Sequence, residues 1–306
     1  MKSTVPVFIS AAILLVACSK SKDNNPDPSK DPPPITEGTR LDQFENSNFI
    51  YKFTYNDQQQ LTGVAQTFKS NPTLTLPELS ATIAWSNGKP VTAEITKKEK
   101  NAAPYRFVAS KFNYSGDRLA YTSHIAYKEN GSEIGKDTIY FEYNSSGQLS
   151  GTRKVIEGEV FLFKWNNLPD GNIIRTSTLE PGDNELVSQS FEEPYDKNTN
   201  PFSLNGVGRT LFLTDITSIE MPELLLAKNN LSGYKERVKR QKLNTSGQVT
   251  RTQETNTDIQ FSLVYNNQNL LNNSKADYAI KSFLDGKQIV NISEKEDRIY
   301  TLGVKK

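Results

Sequence analysis

Phe141-Glu142-Tyr143-Asn144-Ser145-Ser146-Gly147-Gln148-Leu149-Ser150-Gly151-Thr152-Arg153 has the pattern of a β-hairpin. Phe141 and Tyr143 alternate, which puts two rings on one face of an extended strand. Asn144, Ser145, Ser146 and Gly147 supply turn chemistry, Gly147 being free to take positive φ, and Leu149 opens the return strand. The same pattern recurs in FTYNDQQQLTGV from Phe53, FNYSGDRLAYTS from Phe112, FKWNNLPDGNIIRTS from Phe163, KLNTSGQVTRTQ from Lys242 and LVYNNQNLLN from Leu263. The first four copies start 59, 29 and 22 residues apart, too irregular for a strict solenoid.

Between these hairpins lie further alternating runs, among them ATIAWSNGKPVTAEITKK with a turn at Asn87-Gly88, YRFVASKF, KDTIYFEY, TDIQFSLVY and DRIYTLGV. The pattern predicts an all-β chain, a single large antiparallel meander. A hydrophobic fraction of 35% and a negative mean hydropathy suit a sheet with one wet face. Phe161, Phe163 and Trp165 set against Val160 and Leu162 put apolar groups on both faces of one strand, so part of the sheet is covered twice. A curved sheet or incomplete barrel satisfies both observations. One stretch breaks the rhythm: Glu192 to Leu231 is rich in loop residues and reads as an excursion that plugs or caps the sheet, with a short helix expected over Asp215 to Leu226.

The amino-terminal residues have a separate logic. Lys2 precedes an apolar stretch from Val5 to Val16, a signal-peptide core too short to span a bilayer as a permanent helix. Leu15-Val16-Ala17-Cys18 resembles the lipobox of bacterial lipoproteins, which implies cleavage after Ala17 and a lipidated Cys18 at the mature terminus. An ordinary signal peptide is the alternative. Residues 1–17 are therefore expected to be signal peptide, 18–40 a Pro-, Asp- and Lys-rich tether with five prolines, and 41–306 one β domain. Lys20, Lys22 and Asp23 resemble the export signal that carries Bacteroidota lipoproteins to the outer leaflet.

Composition removes several chemistries. Cys18 is the only cysteine, so a mature lipidated chain has no thiol for disulfides, nucleophilic catalysis or metal ligation. The single histidine, His124, cannot build a two-histidine zinc site, and a Ser-His-Asp triad would have to be built on it. Its alternating context predicts an ordinary, half-exposed strand residue. The 36 Lys plus Arg balance 35 Asp plus Glu, and loss of Lys2 with the signal peptide makes the balance even, which argues against a nucleic-acid binder. The run Lys235, Arg237, Lys239, Arg240, Lys242 reads as a solvated edge strand that discourages aggregation.

Tyr195-Asp196-Lys197-Asn198-Thr199-Asn200-Pro201-Phe202, followed by Lys228-Asn229-Asn230, resembles the signature of a Bacteroidota lipoprotein family of unknown function with a porin-like fold. The aromatic-x-aromatic hairpins resemble that family too, and more distantly the tyrosine-aspartate (YD) repeats of large secreted wrapping proteins. The resemblance covers most of Leu41 to Lys306. It implies a barrel-like antiparallel sheet on a lipid tether, without an assigned activity. Charged residues on both strand parities, as in AEITKKEK, argue against a barrel that spans the membrane.

These readings point to a lipid-anchored outer-membrane protein, monomeric and non-catalytic, without cofactor or metal. Its domain faces either the periplasm or the cell surface, the latter favoured. The leading expectation is a ligand-binding module, with a glycan as ligand and Trp85, Trp165, Tyr195, Asp196 and Asn200 as candidate contacts, since rings stack on sugars and amides read hydroxyls. An accessory envelope protein that binds another protein or a lipid is the alternative. A glycoside hydrolase needs two carboxylates, and Glu157 with Glu159, Glu192 with Glu193, or Asp137 would have to supply them. Tyr195 to Phe202 also reads as an Asx-type turn that locks the excursion.

Overall fold

The computed structural model describes residues 38–69, 77–99, 102–156, 159–179, 181–214 and 221–304. The signal segment, Cys18 and most of the tether lie outside them. The strands are β1 (Thr39–Glu45), β2 (Phe49–Tyr55), β3 (Leu61–Phe68), β4 (Pro77–Ser86), β5 (Lys89–Lys97), β6 (Tyr105–Ser115), β7 (Arg118–Tyr127), β8 (Glu133–Tyr143) and β9 (Leu149–Ile156). They continue as β10 (Glu159–Asn167), β11 (Ile173–Ser177), β12 (Glu185–Glu192), β13 (Tyr195–Thr199), β14 (Asn229–Leu231), β15 (Gly233–Leu243), β16 (Val249–Tyr265), β17 (Leu271–Leu284) and β18 (Lys287–Val304). A 3-10 turn (Pro201–Gly206) and helices α1 (Val207–Thr214) and α2 (Pro222–Leu226) lie between β13 and β14. The first strand begins at Thr39, two residues before the expected domain start at Leu41.

Sixteen strands form one antiparallel sheet in the order β11 back to β1, then β18, β17, β16, β15 and β12. The pairing of β1 with β18 joins the two ends of the domain, Thr39 lying opposite Val304. The sheet is thereby a nearly closed barrel with one unsealed seam, between β11 and β12. Side chains bridge that seam where a backbone ladder is missing. The Gln189 Oε1 accepts the Thr178 N–H at 2.8 Å, and the Gln189 amide donates to the Leu179 carbonyl at 3.0 Å.

Four of the six copies of the hairpin motif share one loop geometry. Asn56, Asn144, Asn244 and Asn266 each accept, through Oδ1, the backbone N–H four residues on, at 2.8 to 3.0 Å. The loop then needs a left-handed residue. Gly147 and Gly247 supply it at φ 80° and 78°, and where the repeat lacks glycine Gln59 and Asn269 take it instead at 61° and 56°.

The second ring of the motif reaches across the sheet to a carbonyl at the start of an earlier strand. Tyr55 bonds the Leu41 carbonyl, Tyr114 that of Pro90 at 2.9 Å, and Tyr143 that of Leu119 at 2.9 Å. Such a ring covers apolar lumen with its body and satisfies its polar tip in the sheet.

The excursion between β12 and β15 enters the barrel. Phe202 packs edge-on against Phe44 at 5.2 Å and lies 6.1 Å from Tyr300, while Val207, Leu211 and Leu225 join the core formed by Leu41, Tyr51, Phe53, Ile83 and Phe112. The helical turns cross closely at Gly208, where a Cβ would stand 1.9 Å from the Leu225 carbonyl oxygen. Helix α2 occupies the end of the expected Asp215 to Leu226 helix, and residues 215–220 lie outside the described set. Helix α1, by contrast, forms in a stretch that reads as loop, because burial of Val207, Leu211 and Leu213 in the lumen outweighs the weak propensities of VGRTLFLT.

Two further expectations are corrected. The basic strand β15 is not an edge: it pairs with β12 on one side and β16 on the other. Its cations meet acids across both ladders on the outer face, Lys235 with Glu192 at 2.7 Å, Arg237 with Asp258 at 2.7 Å and Lys239 with Glu254 at 3.0 Å. His124 is buried, not half-exposed, because a bulge between Leu119 and Tyr121 shifts the alternation on β7 and turns Thr122 and His124 to the lumen face that Leu119 occupies.

Candidate functional site: a half-filled lumen

The plug fills the lumen on the β1 to β8 side and leaves space on the other. There a pocket of about 390 Å³ opens between the plug residues Met221 and Leu224, Phe44 and Phe163, and the inner faces of β15 to β18. Its size suits a small organic ligand. Register dictates the wall. Tyr234 on β15 lies opposite Ile259 on β16, which lies opposite Tyr278 on β17. One row further along, Glu236, Thr257 and Ile280 repeat the alignment.

Two buried arginines stand at opposite sides of this space. Arg175, from the edge strand β11, donates through Nε and Nη2 to the two oxygens of Glu223 on α2, both at 2.7 Å, and through Nη1 to the Tyr234 hydroxyl at 3.0 Å. Its backbone N–H donates to Glu193, just beyond β12, at 2.9 Å. One residue thus joins the two seam strands and the plug. Burial, then the neighbouring Glu223 charge, push the Glu193 carboxyl up to about 8, so it is neutral below that pH. Burial opposes the Arg175 charge, but Glu223, Tyr234 and Glu193 together hold its pKa above the ordinary value.

Across the pocket, Arg298 on β18 donates from Nε to Glu296 at 2.8 Å and from Nη2 to both Glu296 and the Tyr278 hydroxyl. Tyr278 in turn donates to Glu296 at 2.7 Å. Arg298 Nη1 has no hydrogen-bond partner among the described residues. Glu236 has no ion-pair partner there either, its recorded contact being the Thr178 hydroxyl at 3.4 Å.

The five residues singled out from the sequence as ligand contacts fall elsewhere. Trp85 and Trp165 occupy the slot of the carbonyl-bonding ring, donating to Leu61 at 2.8 Å and Leu149 at 2.9 Å, and Tyr195 does the same to Ile173 at 2.7 Å. Trp165 is buried edge-on against Phe212 of α1. Asp196 accepts the backbone N–H groups of Asn198 at 2.9 Å and Asn230 at 3.2 Å, an Asx turn that ties β13 to β14. Asn200 caps the 3-10 turn through the Phe202 N–H and donates to the Leu224 and Ala227 carbonyls at 2.7 and 3.0 Å. These polar atoms hold the plug in place. Cys18 lies outside the described residues.

The one constellation with a triad's composition is also internal. Ser110 Oγ lies 2.8 Å from His124 Nδ1, and His124 stands opposite Asp137 in register. Both Ser110 and His124 are buried, and Thr122, two residues from His124 on β7, bonds the Leu213 carbonyl of α1 at 3.4 Å. Glu192 faces outward to Lys235 while Glu193 faces inward, so that acidic pair does not converge, and the side chains of Glu157 and Glu159 lie outside the described residues.

The residues that build the pocket escaped sequence reasoning because they come from β1, β10, β11, the plug and β15 to β18, far apart in the sequence. Arg175 and Arg298 did carry a local signal: each is a charge at the parity of its buried neighbours, Ile173 and Tyr300.

Fold and lumen together define a plugged, barrel-like all-β protein. No family model matches the chain, and no curated protein does. It is similar to a crystal structure of a porin-like protein from Bacteroides uniformis, with 11% identity, a TM-score of 0.45 and coverage of 86% of this chain and 96% of that one. A porin-like protein from Bacteroides vulgatus aligns with 9% identity and a TM-score of 0.38, over 86% of this chain and 98% of that one.

Proposed function

We propose that the chain is a lipid-anchored outer-membrane protein, held by Cys18, whose β domain is a non-catalytic ligand-binding module with a glycan as ligand. The observation that carries this reading is the half-filled lumen: a pocket of about 390 Å³ in a rigid barrel, with rings, carboxylates and hydroxyls side by side. The pocket carboxylates do not suit hydrolysis. Glu236 and Glu296 lie three strands apart, roughly 14 Å across the strands, and four residues out of register besides, against about 5 to 9.5 Å for a glycosidase pair.

A tether suits this barrel better than insertion. Its outer face bears the Arg106–Glu94 pair at 2.8 Å on β6 and β5 and, elsewhere on the barrel, the β15 ion pairs, and an Arg or Lys facing lipid at the bilayer midplane costs about 2 to 4 kcal/mol. The test is retardation of the full chain, in a zwitterionic detergent without sugar head groups, by gels containing a broad polysaccharide panel. Retardation by at least one polysaccharide supports the reading, and free migration through all of them defeats it.

One observation favours the accessory, protein-binding alternative. β1 pairs with β18 only from Ile299 onward, so Lys287 to Arg298 has β17 on one side and an open backbone edge on the other, of the kind that accepts an added strand.

A further inference from the structure

We infer that the luminal pocket takes an uncharged, polyhydroxylated ligand, a neutral sugar unit, and excludes acidic ones. This rests on the glycan-binding reading above and adds the ligand's charge.

The argument is a balance of fixed charges. Both guanidiniums at the pocket are already neutralised, Arg175 by the doubly bonded Glu223 and Arg298 by Glu296 at 2.7 Å. Arg175 and Arg298 are also buried, whereas Glu236 and Glu296 are the more accessible members of the wall. Glu193, protonated below about 8, adds no charge beneath them at neutral pH. The remaining unpaired charge is the Glu236 carboxylate. A uronate, phosphate or sulfate entering this space would meet a like charge and no free cation. A hydroxyl loses nothing on the same approach, since a carboxylate accepts its hydrogen.

The other half of a hydroxyl's needs is also present. Arg298 Nη1, itself a buried atom, lacks an acceptor among the described residues, a costly state that a ligand oxygen reaching it would relieve. The row of Tyr234, Ile259 and Tyr278 spans about 10 Å across three strands and presents an apolar floor for a sugar ring's C–H face. A donor-hungry carboxylate and an acceptor-hungry guanidinium on different sides of the space, with an apolar floor between them, match the hydroxyls and C–H faces of a neutral saccharide. An aliphatic lipid would leave the two polar groups unsatisfied.

The test compares gels containing neutral β-glucan or mannan with gels containing polygalacturonate, at low salt, using the full chain in zwitterionic detergent. The expected result is retardation by a neutral polymer and at least roughly tenfold weaker binding to polygalacturonate. Tyr278→Ala should abolish retardation. Glu236→Gln, which keeps shape and removes the charge, should narrow the gap between neutral and acidic polymers, a change that misfolding cannot mimic. Polygalacturonate binding as strong as neutral binding, and lost in Tyr278→Ala, overturns this inference and leaves the glycan-binding reading standing. Retardation by neither class overturns this inference, and the glycan-binding reading falls with it only when the broad panel also fails to retard the chain; neutral binding unmoved by Tyr278→Ala and Glu236→Gln places the ligand elsewhere and overturns the inference.

Discussion

At the scale of single residues, the decisive group is Arg175. It has no backbone partner across the seam and makes one through Glu193, while its guanidinium is spent on the plug through Glu223. Such a buried pair is held by mutual dependence, since removing one partner strands the other charge. Glu193 makes the site sensitive to pH. Its ordinary value of 4.5 is raised to about 8 in the fold, so between those values the folded chain binds a proton that the unfolded chain has released. This group's contribution to stability is therefore complete below about 4.5, falls as pH rises through the window by at most about 1.4 kcal/mol per unit, and is flat above about 8. Urea midpoints at pH 5 and pH 8 are expected to differ more in the wild type than in Glu193→Gln, which mimics the neutral form. Equal differences in the two proteins would show that Glu193 titrates normally.

Among the elements, the repeated hairpin is a unit with two locks. An asparagine closes the loop onto its own backbone, and the ring just before it ties the strand to a carbonyl further back. Tyr143→Phe keeps the ring and removes the lock, at an expected cost of about 1 kcal/mol in the urea midpoint. No change in stability would mean that the hydroxyl prefers water. These units were legible in sequence because both locks leave local marks, the Asn-x-x-Gly loop and the aromatic alternation. Their roles were only half legible. Trp85, Trp165 and Tyr195 look like binding rings in isolation, and only the register shows them in the slot that Tyr114 and Tyr143 fill elsewhere. Helix α1 was illegible for the opposite reason: the information that makes Val207 to Thr214 helical resides in the barrel wall around it. So too with β15, whose alternating charges look like a free edge until β12 returns to cover it.

For the molecule as a whole, antiparallel alternation told that the sheet would curve, but nothing local told where it would close. Closure depends on β1 finding β18 across the full domain, and the seam falls where the chain leaves β11 to form β12 and the plug. That arrangement gives a barrel solid on one side, open on the other and charged outside. On the proposed function it stands in water, held close to a membrane by its tether and not within one. The most direct measurement is the fate of Ser19–Lys306 exported behind a signal peptide that adds no lipid. A tethered, non-spanning barrel is expected in the soluble fraction, β-rich by circular dichroism. Recovery of the unlipidated chain embedded in the outer membrane and resistant to alkaline carbonate would contradict it.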